Sequence, residues 1–339
     1  MAEPRVRDRY FDLLRVLAIV RVSVFHMFPY ALLELAFPSM GVMFALAGSL
    51  MAGSLARSGI PQVLYGRIRR LLPAYWVLAV LVVPVMFLEG WDERPPLWHL
   101  LTWIVPFADP PSSGLGEQAA EVLWYLVTYL WLVLLSPVLL WLYRRARLVT
   151  ILVPLVLLAM SARFTIPSEA TDVLMYASCW LVGFAHRDGS LRRVPAWLVT
   201  LAAVTAAGGA LAYAHVTPGT LQDLPFPYAV YQLAFVLVLL RWSPRITWSP
   251  ALFSLINARA VTVYLWNNVA IALCFPVGDV FEAWRLGQAG YAVIALVLLA
   301  NAVLLLGWVE DLSARRRPRF LPWPVPPRGS TKLSVVVAG

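Results

Sequence analysis

Charge is scarce in this chain: of 339 residues, 13% are Asp, Glu, Lys or Arg, where a soluble domain carries about a quarter. Hydrophobic residues reach 61%, against roughly half in a soluble protein. The combination excludes a soluble globular fold and requires a polytopic membrane protein. Cysteine is almost absent, and both Cys179 and Cys274 fall inside apolar runs, where they read as small fillers rather than a disulfide. Histidine is nearly as rare. His26, His99, His186 and His215 are scattered without the spacing of metal ligands. There is no internal repeat, and no small-residue cleavage site follows the first apolar run, so that run is expected to remain as a span. The formal charge of +9 does not indicate nucleic acid, because the basic residues sit in short clusters between apolar runs, where they set orientation.

What is abundant is hydrocarbon in helical lengths. Taking runs of about 17–25 apolar residues as spans, ten are expected, at roughly 10–32, 38–56, 72–89, 121–143, 147–162, 169–186, 194–214, 227–241, 256–276 and 289–309. The connectors alternate in charge. Arginines cluster before span one and after spans two, four, six, eight and ten, while acids such as Glu89, Glu117, Glu121, Glu169, Asp172, Asp223 and Asp279 mark the other set. By the positive-inside rule both termini are cytoplasmic, as an even number of spans requires. The expected architecture is therefore all-α, about ten transmembrane helices in one domain over residues 1–312, with a basic, proline-rich, disordered cytoplasmic tail over 313–339 suited to anionic lipid. Fifteen tryptophans and thirteen tyrosines suit the membrane boundary, and "PPLWHLLTWIVPF" within the longest loop reads as an interfacial helix.

The first span breaks the apolar pattern. "RVLAIVRVSVFH" holds Arg15, Arg21 and His26. Arg15 and His26 are eleven positions apart, so at 100° per residue they differ by about 20° in azimuth and about 16 Å along the axis. They share one face. Asp12, one turn before Arg15, is its natural neutralising neighbour. Charges at bilayer depth cost at least about 2.5–3.5 kcal/mol each, so a chain that keeps them lines a bundle interior or a wet cavity with them. For Arg15 an interfacial pair with Asp12 is an equal alternative. His26 lies too deep for that, and Arg21, on another face, reads as a structural partner. Beyond it come "GVMFALAG", whose small residues permit close helix approach, and "GRIRRLLPAYW", where Arg67 and Arg70 lie one turn apart and suit either phosphate or orientation.

In this order the pieces resemble the acyltransferase 3 family of ten-span membrane O-acyltransferases that modify bacterial surface glycans and some secondary metabolites. Its pattern of Arg, ten residues, His is met by Arg15 and His26; its second-span pattern by Gly41, Val42, Phe44 and Gly48; its Arg, two residues, Arg, then Leu-Pro pattern by Arg67, Arg70 and Pro73. "LWYLVTYLWLVLLSP", beginning with Leu123 and Trp124, "WLVGFAHR", and "VTVYLWNN", with Tyr264 and Asn267, extend the likeness to roughly residues 10–310. Three positions depart from it. Ala47 stands where the family has serine, with Ser49 nearby as a substitute; Tyr129 stands where some members have an acid; Asn267 stands for a late histidine.

The resemblance implies an acyl-CoA donor entering from the cytoplasm, its phosphates meeting Arg67 and Arg70, with Arg15 along the path to His26. It implies a bacterial plasma-membrane setting and an acceptor hydroxyl on a glycan, a lipid-linked sugar or a small metabolite. No permanently bound cofactor is expected, only acyl-CoA as substrate. Imidazole is the side chain whose unperturbed pKa suits a general base near pH 7, which makes His26 the expected base. Asp12, Gly48, Ser49, Trp124, Tyr129, Tyr264 and Asn267 are the expected supporting residues. A transporter is the rival class, since intramembrane Arg and His also line ion paths. The second five spans hold few buried ionisable groups and show no inverted repeat, which weighs against it. A non-catalytic relative, motivated by Ala47 and Asn267, is the third reading.

Overall fold

The computed structural model describes residues 8–319 apart from Asp92, Glu93, Ala162, Thr247, Ser249 and Glu282. Every regular element among the described residues is helical. The long helices are α1 (Arg9–Met27), α2 (Ser39–Leu55), α3 (Ile60–Glu89), α4 (Leu123–Arg145), α5 (Arg147–Ser161), α6 (Ser168–Arg187), α7 (Ala196–Val216), α8 (Pro225–Arg241), α9 (Ala260–Val280) and α10 (Gln288–Leu306). Each overlaps one of the expected apolar runs. Their boundaries differ for local reasons. Helix α1 stops at Met27 because the residue before Pro29 is pushed out of the helical region, and the chain continues into the short helix Ala31–Ala36. Helix α3 begins at Ile60 rather than near 72, with Gly59 at its N-cap and a proline in its first turn, where no amide hydrogen bond is lost. Its 30 residues span about 45 Å, beyond the ~30 Å of a hydrocarbon core. The excess is the basic end that carries Arg67 and Arg70.

Among the described residues, five helical stretches are long and apolar enough to cross a membrane: α3, α7, α9, α10 and α4 with the turns preceding it, Gly116–Arg145. Helices α2, α5 and α8 are apolar but shorter. Helices α1 and α6 have the length but carry charge: α6 is buried without a break from Met175 to Ala185, and α1 buries Asp12 together with Phe11, Leu14, Ala18 and Val22. The apolar windows of α7 and α10 are only 17% and 11% buried. These two are outer helices, whereas the windows of α4 and α9 are 50% and 39% buried.

The tightest crossing is α2 on α6. A Cβ on Gly48 would lie 2.2 Å from the Trp180 carbonyl oxygen, and one on Gly183 would lie 2.2 Å from that of Ala45. Two glycines facing each other's backbone let the helices touch, the small-residue packing that replaces hydrophobic drive in lipid. Around this contact Phe44, Trp180, Phe184 and Tyr176 form the main core, and Tyr75, Leu78, Met86, Leu123 and Leu265 form a second one.

The long loop after α3 holds a single turn, Leu97–Leu100, and a 3-10 turn, Leu101–Trp103, in place of one continuous interfacial helix. Aromatic donors pin it down: Tyr75 to the Thr102 carbonyl at 2.7 Å, Trp76 to Ile104 at 2.8 Å and Trp131 to Phe107 at 2.9 Å. Leu97, Trp98, Ile104 and Val105 stay exposed on it. After α10 a short helix, Trp308–Ser313, returns as a strap. The fully buried Arg259 donates to Asp311 at 2.7 Å and to the Arg319 carbonyl, and Ser313 donates to the Arg70 carbonyl at 3.3 Å. Glu310 accepts from the Thr262 amide and hydroxyl, and burial pushes its carboxyl up to about 7 against those hydrogen bonds. The start of the expected tail is thus packed, and residues 320–339 lie outside the described part.

Candidate active site

Helix α1 is the axis of the site. At one end, Arg15 opens into a cavity of about 750 Å³ shared with Arg57, Arg67, Arg70 and Arg187, and with Asp8 and Asp12. Arginines outnumber carboxylates on this wall five to two. The surrounding helices fix their guanidinium groups. Arg67 donates to Tyr129 Oη at 3.5 Å and to Ser54 Oγ at 3.3 Å, and Arg15 donates to Asn257 Oδ1 at 3.4 Å. Ser49, also on the wall, lies 3.3 Å from Nδ1 of His186, whose ring packs on Phe11. A planar guanidinium presents paired donors matched to phosphate oxygens, so such a wall suits a polyanion entering from this side.

At the other end, in the last turn of α1, His26 meets two groups from other elements. Its Nδ1 lies 3.8 Å from Glu121 Oε1, at the turn leading into α4, and 3.3 Å from the Asn268 side-chain nitrogen on α9. The Asn268 amide also donates to Glu121 Oε2 at 3.1 Å, and Asn267 donates to Asn268 Oδ1 at 3.1 Å. The His26 side chain is 22% exposed and that of Glu121 54%, so the cluster meets the outside of the bundle without lying bare on it. The Asn268 nitrogen can only donate, so Nε2 is free to take a substrate proton in the tautomer whose Nδ1–H turns to Glu121 instead.

Between the two ends lies a small apolar pocket of about 20 Å³. Helix α1 supplies Ala18, Ile19, Val22 and Ser23, α2 supplies Met40 and Met43, and Val122, Tyr125, Tyr264 and Asn267 close it. The Tyr264 hydroxyl is engaged by the Val122 carbonyl, so that residue presents its ring. One face of α1 thus carries, in sequence, an arginine in the cationic cavity, four small or apolar residues on the pocket, and a histidine in the acid–amide cluster.

The residues singled out in the sequence separate into three groups. Asp12, Arg15, Ser49, Arg67 and Arg70 share the cationic cavity, and His26 stands at the opposite end with Asn267 and Tyr264 leading to it. Tyr129 acts on the cavity indirectly by holding Arg67. Gly48 and Trp124 line neither: Gly48 makes the α2–α6 contact, and Trp124 stacks on Tyr176 with ring centroids 5.5 Å apart. Arg21 is structural, donating to the Leu33 carbonyl at 3.0 Å and lying over the Phe25 ring. Glu121, Asn268, Arg57 and Arg187 are additions. Glu121 reads in sequence as one more acid of a connector. Asn268 is masked by its neighbour, since one residue along a helix is a 100° turn and only one of an Asn-Asn pair can face His26.

These features define a multi-pass membrane protein, helical in every regular element of its described residues, with a cationic cavity and a histidine cluster at opposite ends of one inner helix. The chain belongs to the acyltransferase 3 family: the family's acyltransferase-domain model matches residues 8–308, nearly its whole length. No curated protein and no solved structure matches it. The protein is accordingly a membrane acyltransferase.

Proposed function

We propose that the protein moves a short acyl group from acyl-CoA to a hydroxyl of a sugar-containing or small-molecule acceptor. The observation that carries this reading is the layout of α1, with a five-arginine cavity at one end and the His26–Glu121–Asn268 cluster at the other. Coenzyme A bears three phosphates, which explains a cationic wall richer than membrane orientation requires. Its pantetheine arm is of the length needed to reach from there toward His26. In this reading the chain crosses the membrane ten times with the arginine-bearing connectors and both termini in the cytoplasm, so that the cavity opens where acyl-CoA is made. The alternation of basic and acidic connectors supports that topology.

In the proposed reaction the acceptor oxygen attacks the thioester carbonyl as its proton passes to His26. The C–S bond then breaks, and the coenzyme A thiolate leaves and takes the proton from the imidazolium. For His26 to accept on Nε2, Nδ1 must carry the other proton and turn it to Glu121 Oε1, with the Asn268 amide donating to Glu121 Oε2 rather than to the ring. The positive imidazolium formed in the transition state is stabilised by the same carboxylate. Asn268 holds Glu121 beside His26 by donating to its Oε2. Arg15 binds the donor between the arginine rim and the pocket.

The test is acyl transfer by purified protein in lipid nanodiscs, following thiol release from acetyl-CoA in the presence of sugar acceptors and of water alone. Turnover that falls by about 10²–10⁴ in His26→Gln, the usual contribution of positioned proton transfer, supports the reading. Turnover unaffected by that substitution places the base elsewhere. Uptake of a solute by proteoliposomes, with no thiol release, would favour the transporter class instead.

A further inference from the structure

We infer that the small pocket between Arg15 and His26 is the acyl-chain site, and that Met40 and Met43 of α2 set its length limit at about two carbons. The inference rests on the acyl-CoA reading and adds the donor's acyl class to it. Three observations carry it.

The first is position. Ala18, Ile19, Val22 and Ser23 lie on α1 between Arg15 and His26, so a thioester drawn from the cationic cavity toward the base passes this pocket. The second is chemistry. The lining contains no charged group; its polar side chains are Ser23, Tyr125, Tyr264, whose hydroxyl is engaged by a carbonyl, and Asn267, the link that leads through Asn268 to His26. With no cation in the lining a phosphate would lose its hydration here without a counter-charge, whereas a hydrocarbon tail has none to lose. Its polar edge lies on the side of the cluster where a carbonyl reacts. The third is size. A pocket of about 20 Å³ holds little more than one water-sized group, for which ~10–15 Å³ of such volume is needed. The methyl of an acetyl group fits; a butyryl or hexanoyl tail does not.

The walls differ in their capacity to yield. Ala18 and Val22 are buried in the α1 packing, while Met40 and Met43 are only partly buried on α2. Methionine is unbranched and fills gaps that other side chains leave. Cutting either methionine to alanine extends the pocket without touching the arginines or the His26 cluster.

The experiment compares kcat/KM for acetyl-, butyryl- and hexanoyl-CoA in the parent, in Met40→Ala, in Met43→Ala and in Met160→Ala, a control on α5. One methylene in a fitted apolar pocket is worth about 10–200-fold in kcat/KM. The parent is expected to prefer acetyl over butyryl by at least about tenfold, and one or both pocket variants to raise the butyryl-to-acetyl ratio by about tenfold or more, with Met160→Ala unchanged. A parent that uses hexanoyl-CoA as well as acetyl-CoA overturns the inference, as does a ratio that moves by less than about twofold in both pocket variants. A parent that turns over no acyl-CoA overturns the donor reading and the pocket with it. A second measurement needs no variant: acetyl-CoA should raise the parent's thermal midpoint more than coenzyme A alone, and hexanoyl-CoA should not. Equal protection by all three would overturn the acyl-site assignment while leaving the donor cavity in place.

Discussion

Replacing Glu121 by glutamine removes one charge from the His26 cluster and little else. The amide oxygen of glutamine can still accept from Asn268, which now donates to Glu121 at 3.1 Å, so the packing survives. What is lost is the attraction between carboxylate and imidazolium. The Nδ1–Oε1 separation is 3.8 Å, and Coulomb's law gives about 1 kcal/mol there in bulk water and about 2 kcal/mol at half that dielectric. With more than half of the Glu121 side chain exposed, the lower range applies, as it does for solvated pairs generally. A loss of about 1–2 kcal/mol from the transition state corresponds to a fall in kcat of roughly 5- to 30-fold. KM for the donor should stay put, because the phosphates bind at the opposite end of α1. The assay is thiol release at saturating donor, run from pH 5.5 to 9. In His26→Gln the further change Glu121→Gln should have almost no effect, since its partner charge can no longer form. If Glu121→Gln keeps the parent kcat at every pH, or if its cost is undiminished in the His26→Gln background, the carboxylate does not act through the imidazole and the proposed pairing is wrong.

Alanine at both Arg67 and Arg70 should raise the donor KM far more than the acceptor KM, each charge-assisted phosphate bond being worth about 1.5–3 kcal/mol; initial rates against both substrates decide it. Gly48→Ala should lower the thermal midpoint of the detergent-solubilised protein, because the new Cβ meets the Trp180 carbonyl at 2.2 Å and the helices must part, at a cost of about 1–3 kcal/mol; an unchanged midpoint would mean the crossing is looser than described. Glu310 has its carboxyl raised to about 7 by burial, so the folded state holds its proton more firmly than the unfolded one. Stability should therefore decline as pH rises from the usual carboxylate range toward 7 and above, and Glu310→Gln should flatten that slope in pH-dependent melting curves. Reporter fusions after residues 60 and 190 should read cytoplasmic, and after 35 and 110 extracytoplasmic; a cytoplasmic signal at 110 would break the ten-span arrangement.

Much of the helix plan is legible in the sequence because hydrocarbon length is set by the bilayer, and each expected apolar run does hold a helix. The ends are less legible. Nothing in the run near 72–89 tells that α3 starts at Ile60, since the added turns are basic and read as connector; only the Gly59 and Pro61 pair signals the true start. Within the site, the spacing of Arg15 and His26 is visible because both lie on one continuous helix. The partners of His26 are not visible, because Glu121 and Asn268 come from elements 95 and 242 residues away in sequence, and proximity across a bundle leaves no local pattern. Trp124 illustrates the converse: it occupies a motif position yet stacks on Tyr176 in the core, and an aromatic in an apolar run gives no sign of which side it faces.

The three stations on α1 share one rigid rod, and this constrains how such a sequence can change over time. A substitution alters one station and leaves the rest in register. A single inserted or deleted residue between Arg15 and His26 would swing one of them by 100° around the axis, turning either the arginine out of its cavity or the histidine away from Glu121. The helix thus works as a ruler whose markings can be repainted while its length cannot. Lineages of this protein should show no gaps between Arg15 and His26, while acyl preference drifts through replacements at Met40 and Met43 on the facing helix.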